Sequence, residues 1–164
     1  MNTQNKSNDI VRAFAQCHGI PNLALSDAGT AGLRLQEGVE LYLEHVAENG
    51  KLFAYVIVGH LPSPLEERQA YMERLLTLNC LEQGTLCGTL AIDGLTDAVL
   101  LQAGIAEADL SVARVEQAAQ ELLRHRPRIA DSLGQWEGGG VTLKKAALST
   151  AAQLNRRTMS GGAR

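Results

Sequence analysis

Apolar residues near the start of the chain recur at the spacing of one face of a helix. Ile10, Phe14 and Cys17 lie at intervals of four and three residues, with further apolar or small residues beside them. This period predicts a first helix that begins near Ser7 and ends at Gly19, because glycine commonly ends helices.

After this helix, apolar and polar residues alternate, which predicts strands. Residues 23–25 and 33–35 flank the turn Asp27-Ala28-Gly29 and predict a hairpin. Residues 39–43 alternate in the same way and predict a half-buried strand. Residues 52–58 are apolar at every position, so we expect that strand at the centre of a sheet.

The segment Ser63-Pro64-Leu65-Glu66 predicts the start of a second helix. Ser63 would cap the helix, Pro64 would take its first position and Glu66 would complete a capping box. The apolar residues of this helix spread over roughly 160°, wider than the roughly 100° that one packing surface requires. We therefore expect a second copy of the chain as its second partner, unless loops of the same chain cover the arc. The residues predicted for this homodimer interface are Tyr71, Met72, Leu75 and Leu78.

The remaining sequence predicts a second hairpin, a third helix and a tail. Residues 86–92 and 98–103 flank a turn at residues 93–97. Asp109 or Ser111 would cap the third helix, and Pro127 would kink or end it.

The resulting element order is α-β-β-β-β-α-β-β-α. Such an order predicts an α+β fold in which an antiparallel twisted sheet packs against three segregated helices. A glycine run at residues 138–140 then separates a domain at residues 1–137 from a tail at residues 138–164.

Length and composition limit the class of protein. The chain has 164 residues, of which 45% are hydrophobic and 20% charged, and both values favour one soluble domain. Its apolar runs are much shorter than the roughly 18 residues of a membrane helix, and its polar start does not resemble a secretory signal. We therefore expect a cytoplasmic protein.

The charges are distributed unevenly. Residues 1–137 hold all 18 acidic side chains and 10 basic ones, for a net charge of −8, whereas the tail carries five basic residues. An acidic body repels nucleic acid and anionic membranes, which favours a protein or peptide partner. The basic tail is expected to be mostly unfolded alone, and to dock weakly on the body over the surface that binds the partner.

Candidate catalytic chemistry is sparse. The sequence holds no motif of the common hydrolases, nucleotide-binding proteins or zinc proteases. The adjacent Cys17 and His18 would point about 100° apart on a helix, which prevents a nucleophile and base arrangement. Cys17, Cys80 and Cys87 are odd in number and lack zinc spacing, so we expect free thiols and no metal site. A small thiol enzyme that uses Cys17 or Cys87 remains a distant alternative.

Several short segments resemble one family. They are residues 23–29 (LALSDAG), residues 59–62 (GHLP), residues 75–79 (LLTLN), Gly94, and the pair Leu100-Leu101. In this order they are similar to the class I chaperones of type III secretion systems, the group of the Tir and Yersinia effector chaperones. The resemblance extends from about residue 8 to residue 136, and the LLTLN segment is its most specific part.

The resemblance implies a fold and a function. The fold would have the order α-β-β-β-α-β-β-α and form a homodimer. The function would be to bind an extended N-terminal segment of a secreted effector in the cytoplasm, keep it secretion-competent and pass it to the secretion machinery, with the secretion ATPase as a further partner. No cofactor is implied. The alternative is a regulatory module of the same fold that titrates a transcriptional regulator or anti-activator.

We expect the effector to bind an apolar surface formed by the first helix and the early strands. Alternation places Leu41 and Leu43 on one face of their strand. Ile10 and Phe14 lie one turn apart on the first helix. The alternative is that these side chains form the core. The predicted effector-binding residues are Ile10, Phe14, Leu33, Leu35, Leu41 and Leu43.

Overall fold

The computed structural model describes residues 3–35, 38–82, 84–134 and 149–150. In chain order the elements are α1 (Thr3–Cys17), β1 (Thr30–Arg34), β2 (Glu40–Val46), β3 (Lys51–His60), α2 (Leu65–Asn79), β4 (Thr89–Ile92), β5 (Ala98–Ala106), α3 (Val112–Ser132) and β6 (Ser149–Thr150). The predicted α+β class with three helices and an antiparallel sheet is confirmed.

All neighbouring strands of the sheet are antiparallel. Their order is β4-β5-β3-β2-β1-β6, with β4 at one edge and the short β6 at the other. The strand that is apolar at every position, β3, lies between β2 and β5, as its sequence predicted. A bulge shifts the register between Ile57 and Gly59 of β3, and Arg126 of α3 donates to the Ile57 carbonyl at 2.9 Å.

Two helices cover one face of the sheet. α3 packs across β3 and β5, and α1 packs against α3. On β3 the side chains that alternate toward these helices, Leu52, Ala54, Val56 and Val58, are buried. Burying this face against the helices supplies most of the apolar core.

The hairpin predicted at residues 23–25 and 33–35 is wrong in its first half. Leu23 and Leu25 are buried, but residues 23–26 form no strand. The Leu25 N–H donates to the Asn8 side chain at 2.9 Å, so α1 takes the hydrogen bond that a strand partner would need. The order is therefore α-β-β-β-α-β-β-α, which the family resemblance implied, followed by β6.

Two helix details also differ from expectation. α2 begins at Leu65, because Pro64 has an extended ψ of 131° and no side chain caps the helix start. The predicted Ser63 cap is therefore wrong. α3 does not end at Pro127 but continues through it to Ser132. Ile129 and Ala130 beyond the proline are buried, and their packing holds the last turns in helical form.

Ser111, one of the two residues predicted to cap α3, is its N-cap. The Ser111 Oγ accepts a hydrogen bond from the Arg114 N–H at 3.3 Å.

None of the helices in the described ranges is both long and apolar enough to cross a membrane. Apart from Ser149 and Thr150, the predicted tail at residues 138–164 lies outside the described residues.

Candidate functional site

The sheet face opposite α1 and α3 carries an open trough of about 570 Å³. Its lining comes from β2, β3, β5 and the turns beside them, and among the described residues none of the three α-helices contributes to it. The apolar and aromatic part of the lining is Tyr42, Val46, Phe53, Tyr55, Ile57 and Leu100. These positions alternate with the core positions of the same strands, so they point away from the helices.

Aromatic rings form the floor of the trough. Tyr42 and Tyr55 are directly opposite each other on β2 and β3, and their rings stack with centroids 5.1 Å apart and planes 11° apart. Phe53 lies opposite Gly104 of β5. A Cβ atom on Gly104 would come within 3.0 Å of the Phe53 ring, so the glycine leaves room for that ring. The floor consequently consists of a stacked tyrosine pair and a phenylalanine ring packed closely against β5.

Two carboxylates in or beside the trough accept hydrogen bonds from its tyrosines. Tyr55 Oη donates to Glu44 Oε2 at 3.2 Å, and Tyr42 Oη donates to Glu40. Glu40 also accepts from Arg34 Nε at 3.0 Å, and this hydrogen bond raises the pKa of the Arg34 guanidinium. Asp93 lines the trough from the β4–β5 turn. An apolar floor beside carboxylates suits a segment that carries both apolar and basic side chains.

The structure places the six predicted effector-binding residues in or against the core. Five of them are buried, namely Phe14, Leu33, Leu35, Leu41 and Leu43, and Ile10 is half-buried and packs against the core. In this conformation a second chain could not reach the five buried side chains. The trough residues of β2 and β3 were missed, although the apolar character of both faces of residues 52–58 was the signal that could have found them.

A second apolar surface lies on α2. Of the residues predicted for the dimer interface, Tyr71 and Leu75 face the core and are 6% and 5% exposed, and Leu78 is partly buried against it. Met72 is 42% exposed. Two leucines that were not predicted, Leu65 and Leu76, are 79% and 72% exposed. Leu65, Met72 and Leu76 share one side of the helix and are called the α2 patch below.

The polar side chains outside these two surfaces include three cysteines and the buried His45. None of the three cysteines forms a disulfide, and Cys17 and Cys80 are exposed. Across the ranges that the structure describes, no group of three His, Cys, Asp or Glu side chains could hold a metal ion. The buried His45 contacts Glu107 at 3.2 Å, and this contact ties β2 to the end of β5. The trough and the α2 patch are the two apolar surfaces that the described residues leave open to a partner.

One family model matches most of the chain. The model of the Tir chaperone protein (CesT) family matches residues 9–129. Among curated proteins, no sequence matches the chain.

Solved structures share the fold. A chain in the crystal structure of the ExsC-ExsE complex aligns with a TM-score of 0.66 and 26% identity, over 81% of this chain and 97% of that one. The ExoU-SpcU complex from the type III secretion system of Pseudomonas aeruginosa aligns with a TM-score of 0.50 and 26% identity, over 78% and 98%. The HopA1-SchA chaperone-effector complex aligns with a TM-score of 0.61, 16% identity and coverage of 78% and 95%, which shows the fold alone.

Proposed function

We infer that this chain, which belongs to the Tir chaperone protein (CesT) family, is a type III secretion chaperone that binds an extended N-terminal segment of a secreted effector. The similar structures include a chaperone-effector complex and a complex from a type III secretion system. The observation that carries the proposal is the trough, an aromatic and apolar sheet face that the helices of the described chain leave open.

The trough explains how such a segment is held. An effector segment without its own fold exposes apolar side chains, and burying them on the aromatic floor removes them from water. The carboxylate of Glu44, which lines the trough, attracts basic side chains that flank the apolar ones. Because the Tyr55 hydroxyl fixes this carboxylate, the site is preorganised and loses little entropy on binding.

We further propose that the chain acts as a homodimer through the α2 patch. Three large apolar side chains on one helix side form an exposed surface that a monomer rarely keeps. α2 packs beside β4, and β4 is an edge strand of the sheet. The patch and this edge together offer a continuous surface for a second copy.

In this proposal the protein binds and does not catalyse, and it works in the cytoplasm without a cofactor. The role fits the chaperone family whose model matches the chain. Keeping a segment unfolded needs only binding energy at a preformed surface, so neither ATP nor a metal ion is part of the step.

The test uses the protein encoded beside the gene of this chain. Its N-terminal half is expressed as the probe, and its affinity for the full chain is measured by calorimetry. Phe53→Asp places a charge on the trough floor and is expected to weaken binding at least about tenfold, because burying an unpaired charge is costly.

Leu81→Asp is the matched control. Leu81 is 82% exposed and does not line the trough, so its replacement is expected to leave the affinity unchanged. Circular dichroism confirms that both variants are folded. Equal affinities of the Phe53→Asp variant and the wild-type chain would contradict the trough as the binding site. If a transcriptional regulator binds the chain and the secreted protein does not, the result would favour the alternative, a module that titrates the regulator.

A further inference from the structure

The outer edge of β1 is occupied by a segment of the chain's own tail. β6 pairs antiparallel with β1, and places Ser149 opposite Arg34 and Thr150 opposite Leu33. On its other side β1 pairs with β2 along its whole length, from Thr30 to Arg34. In the described sheet, β6 therefore closes an edge that β1 would otherwise expose.

The hydrogen bonds of β1 show which of its backbone groups reach β6. Next to the strand, the Leu35 N–H donates to the Val39 carbonyl at 2.7 Å, on the side of β2. The N–H and C=O groups of successive residues in an antiparallel strand point to opposite edges. Those of Gly32 and Arg34 consequently point to the edge where β6 lies. Arg34 and Ser149 are then a pair that exchanges two backbone hydrogen bonds.

The chain itself closes the other end of this edge. The backbone groups of Thr30 point to the same edge as those of Arg34, but the Thr30 carbonyl accepts a hydrogen bond from the Ser26 N–H at 2.8 Å. The Thr30 N–H donates to Ser26 Oγ at 3.3 Å. Along β1, this leaves the backbone groups of Gly32 and Arg34 for a further strand. The open edge is thus short, and a strand as short as Ser149–Thr150 covers the Arg34 end of it.

A two-residue strand gains little free energy by pairing with a sheet edge, but it pairs more often when the same chain holds it near that edge. The chain between Gly134, just after α3, and Ser149 has 14 residues. A tether of this length keeps the segment at a local concentration on the order of millimolar near the edge. The five basic residues of the tail and the acidic body add an attraction that salt weakens.

We propose that Ser149–Thr150 is a displaceable occupant of the β1 edge and competes there with an extended segment of the effector. Backbone groups at a sheet edge accept any extended chain, and side-chain contacts decide which chain prevails. An effector segment that also fills the trough gains contacts that the two-residue strand lacks. The competition rests on the proposed function, whereas the occupation of the edge does not.

The first experiment measures occupation in the full chain without an effector. Ser149→Pro removes the N–H that donates to the Arg34 carbonyl, and Ser160→Pro makes the same change in the tail outside β6. Amide hydrogen exchange by NMR is expected to be about two- to tenfold faster at Arg34 in the Ser149→Pro variant, and unchanged in the control. Exchange at the wild-type rate in both variants would overturn the occupation.

The second experiment measures competition with the effector probe described above. The Ser149→Pro variant is expected to bind the probe about two- to tenfold more tightly than the wild-type chain, with the Ser160→Pro variant equal to wild type. Faster exchange at Arg34 with unchanged affinity would overturn the competition and leave the occupation standing. Failure of all three chains to bind would overturn the proposed function and the competition, while the exchange rates decide the occupation independently.

Discussion

At the scale of single residues, Tyr71 is an unusual member of the core. Its ring is 6% exposed, and among the described residues its buried hydroxyl has no hydrogen-bond partner. A buried polar group without a partner costs free energy, so Tyr71→Phe is expected to leave the free energy of unfolding unchanged or to raise it by about 1 kcal/mol. Leu75→Ala, one turn further along α2, is expected to lower it by about 2–5 kcal/mol. Urea denaturation of both variants measures the difference.

The same residue gives the protein a pH dependence. Burial raises the pKa of Tyr71 to about 12, above the value of about 10 for an unfolded tyrosine. The unfolded tyrosine therefore ionises first, so the protein keeps its stability below about pH 10 and loses some of it as the pH rises toward about 12. Tyr71→Phe is expected to lose less stability than the wild type over this interval. Identical alkaline losses in the two proteins would contradict this assignment.

At the scale of elements, an ion pair joins the start of α2 to the β4–β5 turn. Arg68 donates to the two carboxylate oxygens of Asp97 at 2.7 and 3.1 Å, and these bonds lower the pKa of Asp97. Because the pKa of Asp97 is lower in the folded state, the ionised carboxylate stabilises the fold at pH values above its unfolded pKa of about 3.9. This stabilisation is lost as the pH falls through the folded-state pKa. Asp97→Asn is expected to reduce the melting temperature slightly at pH 7 and to converge with wild type in acid.

The control for this pair is Glu73→Gln, an exposed position of the same helix whose carboxylate accepts from Gln69 one turn earlier. It is expected to leave the melting temperature at pH 7 close to that of wild type, because exposed pairs within one helix contribute little. A difference between Asp97→Asn and wild type that stays constant down to the most acid pH measured would show that the carboxylate charge is not responsible.

The elements also show which structural features sequence periodicity can predict. The continuous apolar run of β3 and the cap at Ser111 were readable, because both depend on neighbouring residues alone. Residues 23–25 were not, because a side chain of α1, distant in sequence, takes the Leu25 N–H. The leucines of β1 and β2 were assigned to effector binding, yet helices cover that face. Apolar periodicity identifies two faces of a strand, and only the packing of the helices decides which face stays open.

At the scale of the whole molecule, the described residues leave two apolar surfaces outside the core, the trough and the α2 patch. Tertiary packing turns one flank of α2, with Tyr71 and Leu75, into the core and leaves Leu65, Met72 and Leu76 outside. The wide apolar arc of this helix thus has one partner within the described chain. A stable interface buries about 800 Å² on each partner, which requires the patch together with its surroundings at the β4 edge.

We therefore expect the wild-type chain to sediment as a dimer at micromolar concentration and the Leu76→Asp variant as a monomer. Leu76 is 72% exposed, so the substitution leaves the core intact, but a dimer would bury its unpaired charge. Phe53→Asp, in the trough, is the control and is expected to remain dimeric while it loses the effector probe. A wild-type monomer at micromolar concentration would contradict the proposed dimer. A Leu76→Asp variant that sediments as a dimer would place the interface on another surface, because a dimer through the α2 patch would have to bury the unpaired aspartate.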